Sequence, residues 1–183
     1  MNKYISLLIF FISFNINAQD TYLQCGKIID TERGKVLKKK TIIVSSDKII
    51  AIKNGYVTSS NPLDIVIDLK SKTVMPGLID LHVHIESEFN PQKYMNAFTA
   101  NDADIAFGSL KFAEITLMAG FTTVRDLGGS GINISLRDAI AKGEVVGPRI
   151  FTAGKAIGTT GGHADPTNGC LLYTSPSPRD EVL

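Results

Sequence analysis

The sequence lacks tryptophan, has few cysteines and histidines, and carries almost no net charge. Its 183 residues include two cysteines, three histidines and no tryptophan, and the formal net charge is +1. A nearly neutral chain offers no electrostatic reason to expect a nucleic acid or an acidic surface as its partner. The low aromatic content does not discriminate between classes of function.

Long apolar runs are also scarce, and the longest lies at the amino terminus. Lys3 precedes an apolar stretch from Tyr4 to Phe14, and Ala18 is a small residue at a plausible cleavage point. This arrangement is typical of a secretory signal peptide. The alternative is a membrane anchor, but a spanning helix needs ~20 apolar residues. We therefore expect residues 1–18 to be a cleaved signal peptide, the protein to be secreted or periplasmic, and no stable membrane span.

The following segment is rich in β-forming residues. Four runs have strand-like composition or alternation and are separated by turn residues: Thr21 to Ile29, Thr41 to Val44, Lys48 to Lys53 and Asp64 to Leu69. They predict a small all-β module that ends near Lys72.

The spacing between apolar residues then changes from two residues to three or four. An apolar stripe predicts a helix that ends at Gly120; its residues are Ala103, Ala106, Phe107, Leu110, Ala113 and Leu117. Short strands are expected at Phe121 to Val124 and at Arg149 to Ala153. Between them, Asn133 or Ser135 could cap a second helix that Gly143 closes. This alternation of strands and helices implies parallel strands.

Two histidines, His82 and His84, lie one residue apart in an apolar run that predicts a strand. Side chains two apart on a strand point to the same face, so the two imidazoles are expected side by side in a cavity, where they could bind one metal ion. The alternative is two polar groups on a wetted face. Because a strand that is apolar on both faces is usually buried, and buried polar groups need partners, the metal site is favoured.

The segment from Val74 to Glu86 resembles the first barrel strand of the amidohydrolase superfamily, with its Pro-Gly-Leu-Ile-Asp-x-His-x-His signature. Ala119 to Asp126 and Gly147 to Gly154 are similar to the second and third strands. Thr159 to Asp165 resembles the loop after strand three in the imidazolonepropionase-like and Xaa-Pro-dipeptidase-like branch. The resemblance extends from about residue 21 to residue 169, and the upstream part looks like the small β-sandwich that these enzymes carry.

The resemblance implies an α/β fold, namely a partial (β/α)8 TIM barrel comprising the first three βα units, preceded by a small β-sandwich domain. The expected boundaries are 19–73 for the β-sandwich portion and 74–169 for the start of the barrel. A complete barrel typically needs ~250 residues. The chain is therefore expected to be the N-terminal fragment of a longer enzyme, inactive as it stands because three units cannot close a barrel.

The resemblance also implies a chemistry. His82 and His84 would be ligands of one or two divalent metal ions, with Zn2+ expected, and His163 would contact the substrate; the alternative for His163 is an ordinary loop histidine. The reaction would be hydrolysis of an amide- or peptide-type C–N bond, in a dipeptide or cyclic amide, by metal-activated water. The general-base aspartate of the family has no counterpart in this chain. The full-length protein could form a homo-oligomer.

Other polar groups are expected near the same strand ends. Asp80 could orient an imidazole or make a structural hydrogen bond, and Arg125 and Asp126 are expected to make structural pairs. Glu86 and Glu88 are expected on a mobile loop after the first barrel strand. The Gly128 to Gly131 segment lacks the spacing of known phosphate-binding motifs and is interpreted as a βα loop.

The last residues differ in character from the rest. The run from Cys170 to Asp180 resembles, codon for codon, the translation of a transposon-based sequencing adapter. We interpret residues 170–183 as a non-native tail; the alternative is a natural Ser/Pro-rich terminus. The competing reading of the whole chain is a non-catalytic exported β module, either a binding protein or an inert truncated fragment.

Overall fold

The computed structural model describes residues 19–89, 91–92, 95–96, 99–159, 162 and 164–165. The chain divides into two compact units, Met1–Pro76 and Gly77–Leu183. The signal-peptide residues 1–18, His163 and the tail from Cys170 lie outside the described residues. In the part that is described, no helix combines the length and apolarity needed to cross a membrane.

The first unit contains one four-stranded sheet. Its strands are β1 (Asp20–Asp30), β2 (Lys35–Ser45), β3 (Lys48–Asn54) and β4 (Ile65–Val74). They lie in the order β3-β2-β1-β4, with β1 antiparallel to β2 and parallel to β4. All four predicted strands are present. The described residues form a single sheet here, so the second layer of a sandwich stays a prediction.

One face of this sheet has a small apolar core. Cys25, Ile28 and Ile42 are buried, and five partly buried side chains pack against them: Leu23, Leu37, Val44, Leu69 and Val74. Gly26 interrupts the pairing of β1 with β4, and a Cβ there would lie 2.1 Å from the carbonyl oxygen of Lys70. Glycine is required at this irregularity because the two backbones approach too closely for any side chain.

The second unit alternates strands and helices. Its elements are β5 (Leu78–Val83), α1 (Asp102–Met118), β6 (Phe121–Asp126), α2 (Ile132–Ala141) and β7 (Arg149–Thr152). The three strands form a parallel sheet in the order β5-β6-β7. The mixed α/β class expected from the sequence is confirmed, and the arrangement is that of successive βα units.

Helix α1 begins and ends at residues whose chemistry suits those positions. The Asn101 side chain accepts hydrogen bonds from the N–H groups of Ala103 and Asp104, while the Asp104 carboxylate accepts one from the N–H of Asn101. This reciprocal capping box satisfies backbone donors that the first turn leaves free. At the other end, Gly120 has a φ of +99°, as expected of a glycine that terminates a helix.

The core of the second unit lies between its sheet and its helices. Five buried residues form it: Ile85, Ala113, Val124, Leu136 and Ile150. The predicted apolar stripe of α1 is only partly correct, because Ala113 is buried whereas Phe107 is 73% exposed. In the described structure α1 packs on α2 and β6, and its Phe107 side lies away from these contacts.

Candidate metal-binding site at the carboxyl ends of the strands

The two histidines lie at the carboxyl end of β5, on the side of the strand away from the core. Val83 and Ile85 pack with the core of the second unit, and side chains alternate along a strand, so His82 and His84 point to the opposite face. Their ring centroids are 5.7 Å apart with an interplanar angle of 73°. The expectation that the imidazoles emerge side by side agrees with this geometry.

This separation fits a shared metal ion. Zn–N bonds of about 2.0–2.1 Å in a tetrahedral site place two imidazole centroids about 5 Å apart. The observed 5.7 Å differs from that value by less than an ångström. The donor chemistry also suits Zn2+, because neutral imidazole nitrogens are among its preferred ligands.

His84 has a hydrogen bond that fixes its ring. Its Nδ1 lies 2.7 Å from the carbonyl oxygen of Gly128. A carbonyl oxygen can only accept, so Nδ1 must carry the proton and donate, which leaves the Nε2 lone pair free when the ring is neutral. Metal-binding histidines usually donate their second ring N–H in this way.

The expectation of a cavity is not met by the described residues, since both histidine side chains are exposed. The physical reason is that three strands present an open sheet face, whereas a barrel encloses its interior only when the sheet closes on itself. Within the described ranges, no group of three or more His, Cys, Asp or Glu side chains is placed to hold a metal. A tetrahedral zinc site needs four ligands, of which the histidine pair would supply two.

Asp80 and Arg125 make structural hydrogen bonds near the pair. Asp80 accepts from the backbone N–H of His82 at 2.9 Å. Arg125 donates from Nε to the carbonyl oxygen of Leu81 at 2.7 Å, where the pairing of β5 with β6 is irregular. Of the two roles considered for Asp80, the described contact is the structural one.

Asp126, at the end of β6, is the centre of a buried polar cluster. Its Oδ2 accepts from the N–H of Ile85 at 2.8 Å, and its Oδ1 accepts from the N–H of Gly128 at 2.8 Å. The side-chain amide of Asn133 donates to the same Oδ1 at 3.1 Å. Asp126 and Asn133 are both fully buried. The carboxylate therefore joins the residue after His84 to the loop that follows β6.

The prediction that Asn133 or Ser135 caps the second helix is wrong. Helix α2 starts after Gly131, which makes no side-chain capping bond, and Asn133 lies within the first turn. Its Nδ2 donates inward to Asp126 and, at 3.0 Å, to the carbonyl oxygen of Gly154. Because the Asn133 side chain binds these buried acceptors, it does not cap the helix.

Glu86 supplies the cap instead. It lies in the turn after β5, as a loop residue is expected to, and its side chain is held by two hydrogen bonds. Its carboxylate accepts from the N–H of Ser130 at 2.7 Å and from the N–H of Asn133 at 2.8 Å. Free N–H groups at a helix N-terminus attract anions. The glycine-rich loop holds an internal carboxylate there, which agrees with its interpretation as a βα loop rather than a phosphate site.

Sequence reasoning did not identify Glu86, Asp126 and Asn133 as a connected cluster. One available signal was the spacing of His82, His84 and Glu86, which places all three at alternating positions beside one sheet face. His163, the expected substrate contact, lies outside the described residues. Its proximity to the histidine pair stays a prediction.

Parallel βα units with polar side chains at the carboxyl ends of the strands are found in enzymes built on a TIM barrel. The amidohydrolase family profile matches residues 73–181. The chain therefore belongs to the amidohydrolase family. At family level these proteins are hydrolases that act on C–N bonds, and they typically bind divalent metals.

Individual relatives agree with this assignment. Ochratoxinase from Aspergillus niger is 30% identical over an alignment of 163 residues that covers 81% of this chain and 31% of the relative. A crystal structure of a Xaa-Pro dipeptidase with methionine bound in its active site is 42% identical, with a TM-score of 0.77, covering 88% of this chain and 40% of that one. A prolidase complexed with N-methylphosphonate-L-proline is 39% identical, with a TM-score of 0.67, covering 79% and 34%. The chain thus spans about a third to two-fifths of the length of these relatives.

Proposed function

We propose that this chain is the N-terminal part of an exported, metal-dependent amidohydrolase that hydrolyses the C–N bond of a dipeptide or a cyclic amide. The observation that carries the proposal is the pairing of His82 and His84, with ring centroids 5.7 Å apart at a strand end. The similarity to a Xaa-Pro dipeptidase and a prolidase supports a dipeptide as the substrate class.

In this proposal the chain's own residues prepare one side of the active site. His82 and His84 hold the metal ion, and the Gly128 carbonyl keeps the His84 ring in the orientation that frees Nε2. When bound, a divalent ion polarises a substrate carbonyl oxygen and makes a water nucleophilic near neutral pH. His163 contacts the substrate.

The metal site can be tested on the chain itself by nuclear magnetic resonance of its three histidine rings. Addition of Zn2+ should shift the ring nitrogens of His82 and His84 at lower concentrations than those of His163. His82→Ala and His84→Ala should each remove the tightest binding event, and the matched control His163→Ala should retain it. Equal responses from all three rings would contradict a site at the pair.

Catalysis is tested on the protein encoded by the complete reading frame. We expect hydrolysis of Xaa-Pro or related dipeptides, loss of activity after treatment with a chelator, and recovery with Zn2+. His84→Ala should lower kcat/KM by at least about 1,000-fold, since removing a metal ligand removes the activation of water. A complete protein that is saturated with metal yet inactive on dipeptides and cyclic amides would contradict the proposal.

Export is tested by the amino terminus of the mature protein. Secretion from a bacterial host should give a protein that begins at Gln19, since cleavage is expected after Ala18. Mass spectrometry of the purified protein measures this. An intact Met1 on protein recovered from the cytoplasm would contradict export.

A second candidate is an inert or non-catalytic binding fragment. It is favoured by one observation: the described residues place only two metal ligands together, and both are exposed. The Zn2+ titration and the activity of the complete protein separate the two candidates, because the second predicts neither Zn2+ binding at the pair nor hydrolysis by the complete protein.

A further inference from the structure

The peptide group between Gly128 and Gly129 connects His84 to the far strand of the sheet. Its carbonyl oxygen accepts from Nδ1 of His84 at 2.7 Å. Its N–H, on Gly129, donates to the carbonyl oxygen of Gly154 at 2.8 Å. Both polar atoms of one peptide plane are therefore engaged, one on the histidine and the other just beyond β7.

Two buried side chains hold the groups on either side of this peptide: Asp126 binds the N–H of the preceding peptide, and Asn133 binds the carbonyl that accepts from Gly129. Asp126 accepts from the N–H of Gly128 at 2.8 Å, and Asn133 donates to both Asp126 and the carbonyl oxygen of Gly154, at 3.1 and 3.0 Å. The amide orientation of Asn133 follows from its neighbours, because only its nitrogen can donate to two acceptors. The carbonyl oxygen that His84 contacts is thus held indirectly, because Asp126 binds the N–H of the same glycine and Asn133 binds the acceptor of the next N–H.

Gly128 is a conformational requirement of the same arrangement. Its φ is +137°, and a Cβ on it would lie 2.5 Å from the backbone of Ala156. Any side chain at this position must shift the loop, because both the φ value and the space favour glycine alone.

The two histidines differ in this respect. Within the described ranges, His84 has a ring hydrogen bond to a fixed carbonyl, whereas the ring of His82 contacts the ring of His84 and has no such bond. One imidazole is held in a single tautomer before any ion arrives, and the other is free to rotate onto the ion.

We propose that Asp126, Asn133 and the Gly128–Gly129 peptide form a positioning network that holds His84 as the Nδ1–H tautomer and presents its Nε2 for metal binding. They are positioning residues, since Asp126 and Asn133 act through the peptide and not on the ion. The role in metal binding rests on the proposed function, whereas the tautomer itself does not.

The test is ring-nitrogen spectroscopy on the whole 183-residue chain, free of metal, at a pH where the imidazoles are neutral. For His84 we expect a protonated Nδ1 and an unprotonated Nε2, and for His82 an averaged mixture of tautomers. His82→Gln assigns the signals. Because this measurement uses the unmodified chain, it does not depend on any variant folding. A mixture at His84 equal to that at His82 would overturn the proposal.

Variants then connect the network to the ring. Asn133→Ala and Gly128→Ala should shift His84 towards a mixture of tautomers and weaken Zn2+ binding at the pair by about 10- to 100-fold, the usual effect of losing a group that orients a ligand. Ser135→Ala, an exposed change on the same helix, is the matched control and should change neither. A folded Asn133→Ala or Gly128→Ala protein that keeps both the His84 tautomer and the Zn2+ affinity would refute the network.

The outcomes distinguish this proposal from the proposed function. A fixed His84 tautomer that the variants disturb, together with no Zn2+ binding at the pair, would leave the network in place and reject the metal site. Zn2+ binding at the pair, together with an even mixture of His84 tautomers, would keep the metal site and reject the network.

Discussion

At the scale of single residues, two buried polar side chains each bind backbone groups that are distant in the sequence. Asp126 in the second unit and Thr41 in the first are each fully buried. The hydroxyl of Thr41 donates to the carbonyl oxygen of Gly55 at 2.8 Å and accepts from the N–H of Val57 at 2.9 Å. A buried polar group without a hydrogen-bond partner destabilises the fold, so each of these positions favours a side chain that can make the same hydrogen bonds.

Replacement of Thr41 by valine tests this dependence. The change keeps the shape but leaves the Val57 N–H and the Gly55 carbonyl without their partner, and we expect the free energy of unfolding to fall by about 1–3 kcal/mol. Urea unfolding followed by circular dichroism measures it. Thr58→Val, at an exposed position, is the control and should change stability by less than about 0.5 kcal/mol. Equal effects at the two sites would contradict the role assigned to the Thr41 hydroxyl.

The thiol of Cys25 should be chemically protected in the folded chain. Burial raises the pKa of this thiol, partly opposed by a hydrogen bond with the backbone of Ile42, and the thiolate is the reactive form. In a Cys170→Ser background, iodoacetamide should label Cys25 slowly in buffer and rapidly in denaturant. Labelling at the same rate in both conditions would show that the core around Cys25 is not formed. The rate is measured by mass spectrometry.

At the scale of elements, hydrogen bonds to and from the loop between β6 and α2 connect the three parallel strands. Glu86, after β5, caps α2, and Asp126, at the end of β6, accepts from the N–H of Ile85. Gly154, just after β7, accepts from Gly129. These contacts link the carboxyl ends of all three strands, which is the edge where a barrel enzyme places its chemistry.

Glu86→Gln isolates the contribution of the carboxylate to this edge. The amide can accept at one oxygen only, so the N–H of Ser130 or of Asn133 loses its partner. The favourable interaction of a negative charge with the helix N-terminus is also lost. We expect a loss of about 1–2 kcal/mol in the free energy of unfolding, in the range of an N-cap substitution. Glu114→Gln on the exposed side of α1 is the control. Hydrogen exchange at Ser130 and Asn133 should also accelerate in Glu86→Gln and not in the control; unchanged exchange would argue against the cap.

At the scale of the whole molecule, the described chain exposes apolar side chains on an edge strand. Ile79 and Leu81 on β5 are 62% and 58% exposed, and β5 lies at one edge of its sheet. Edge strands with exposed apolar residues promote association between chains. We therefore expect the isolated 183-residue chain to associate as its concentration rises.

Leu81→Lys tests whether β5 is responsible. A charge on an edge strand opposes pairing with another chain, so the variant should show a lower weight-average mass than the unchanged chain by sedimentation velocity at the same concentration. Thr58→Lys adds the same charge at an exposed site in the other unit and should leave association unchanged. Association that persists in Leu81→Lys but falls in Thr58→Lys would place the contact elsewhere.

Much of the fold could be predicted from local patterns. The strands of the first unit, helix α1, the glycine at its end and the strands at β6 and β7 follow from hydrophobic period and turn residues, because these depend on neighbours in the sequence. The two-residue spacing of His82 and His84 determined that they share a face, for the same reason. These features need no knowledge of distant contacts.

The tertiary structure decided what local patterns could not. The Glu86 cap on Ser130 and the His84 contact with Gly128 each join residues 44 positions apart. The Asn133 side chain does not cap the helix because it donates to Asp126 and Gly154 instead. Each depends on which strand lies beside which, and parallel pairing brings distant residues together only after the sheet has formed. The exposure of the histidine pair has the same cause, because only further strands can enclose a face of the sheet. The position of a residue in its strand determines which face its side chain occupies, and that position can be read from the sequence.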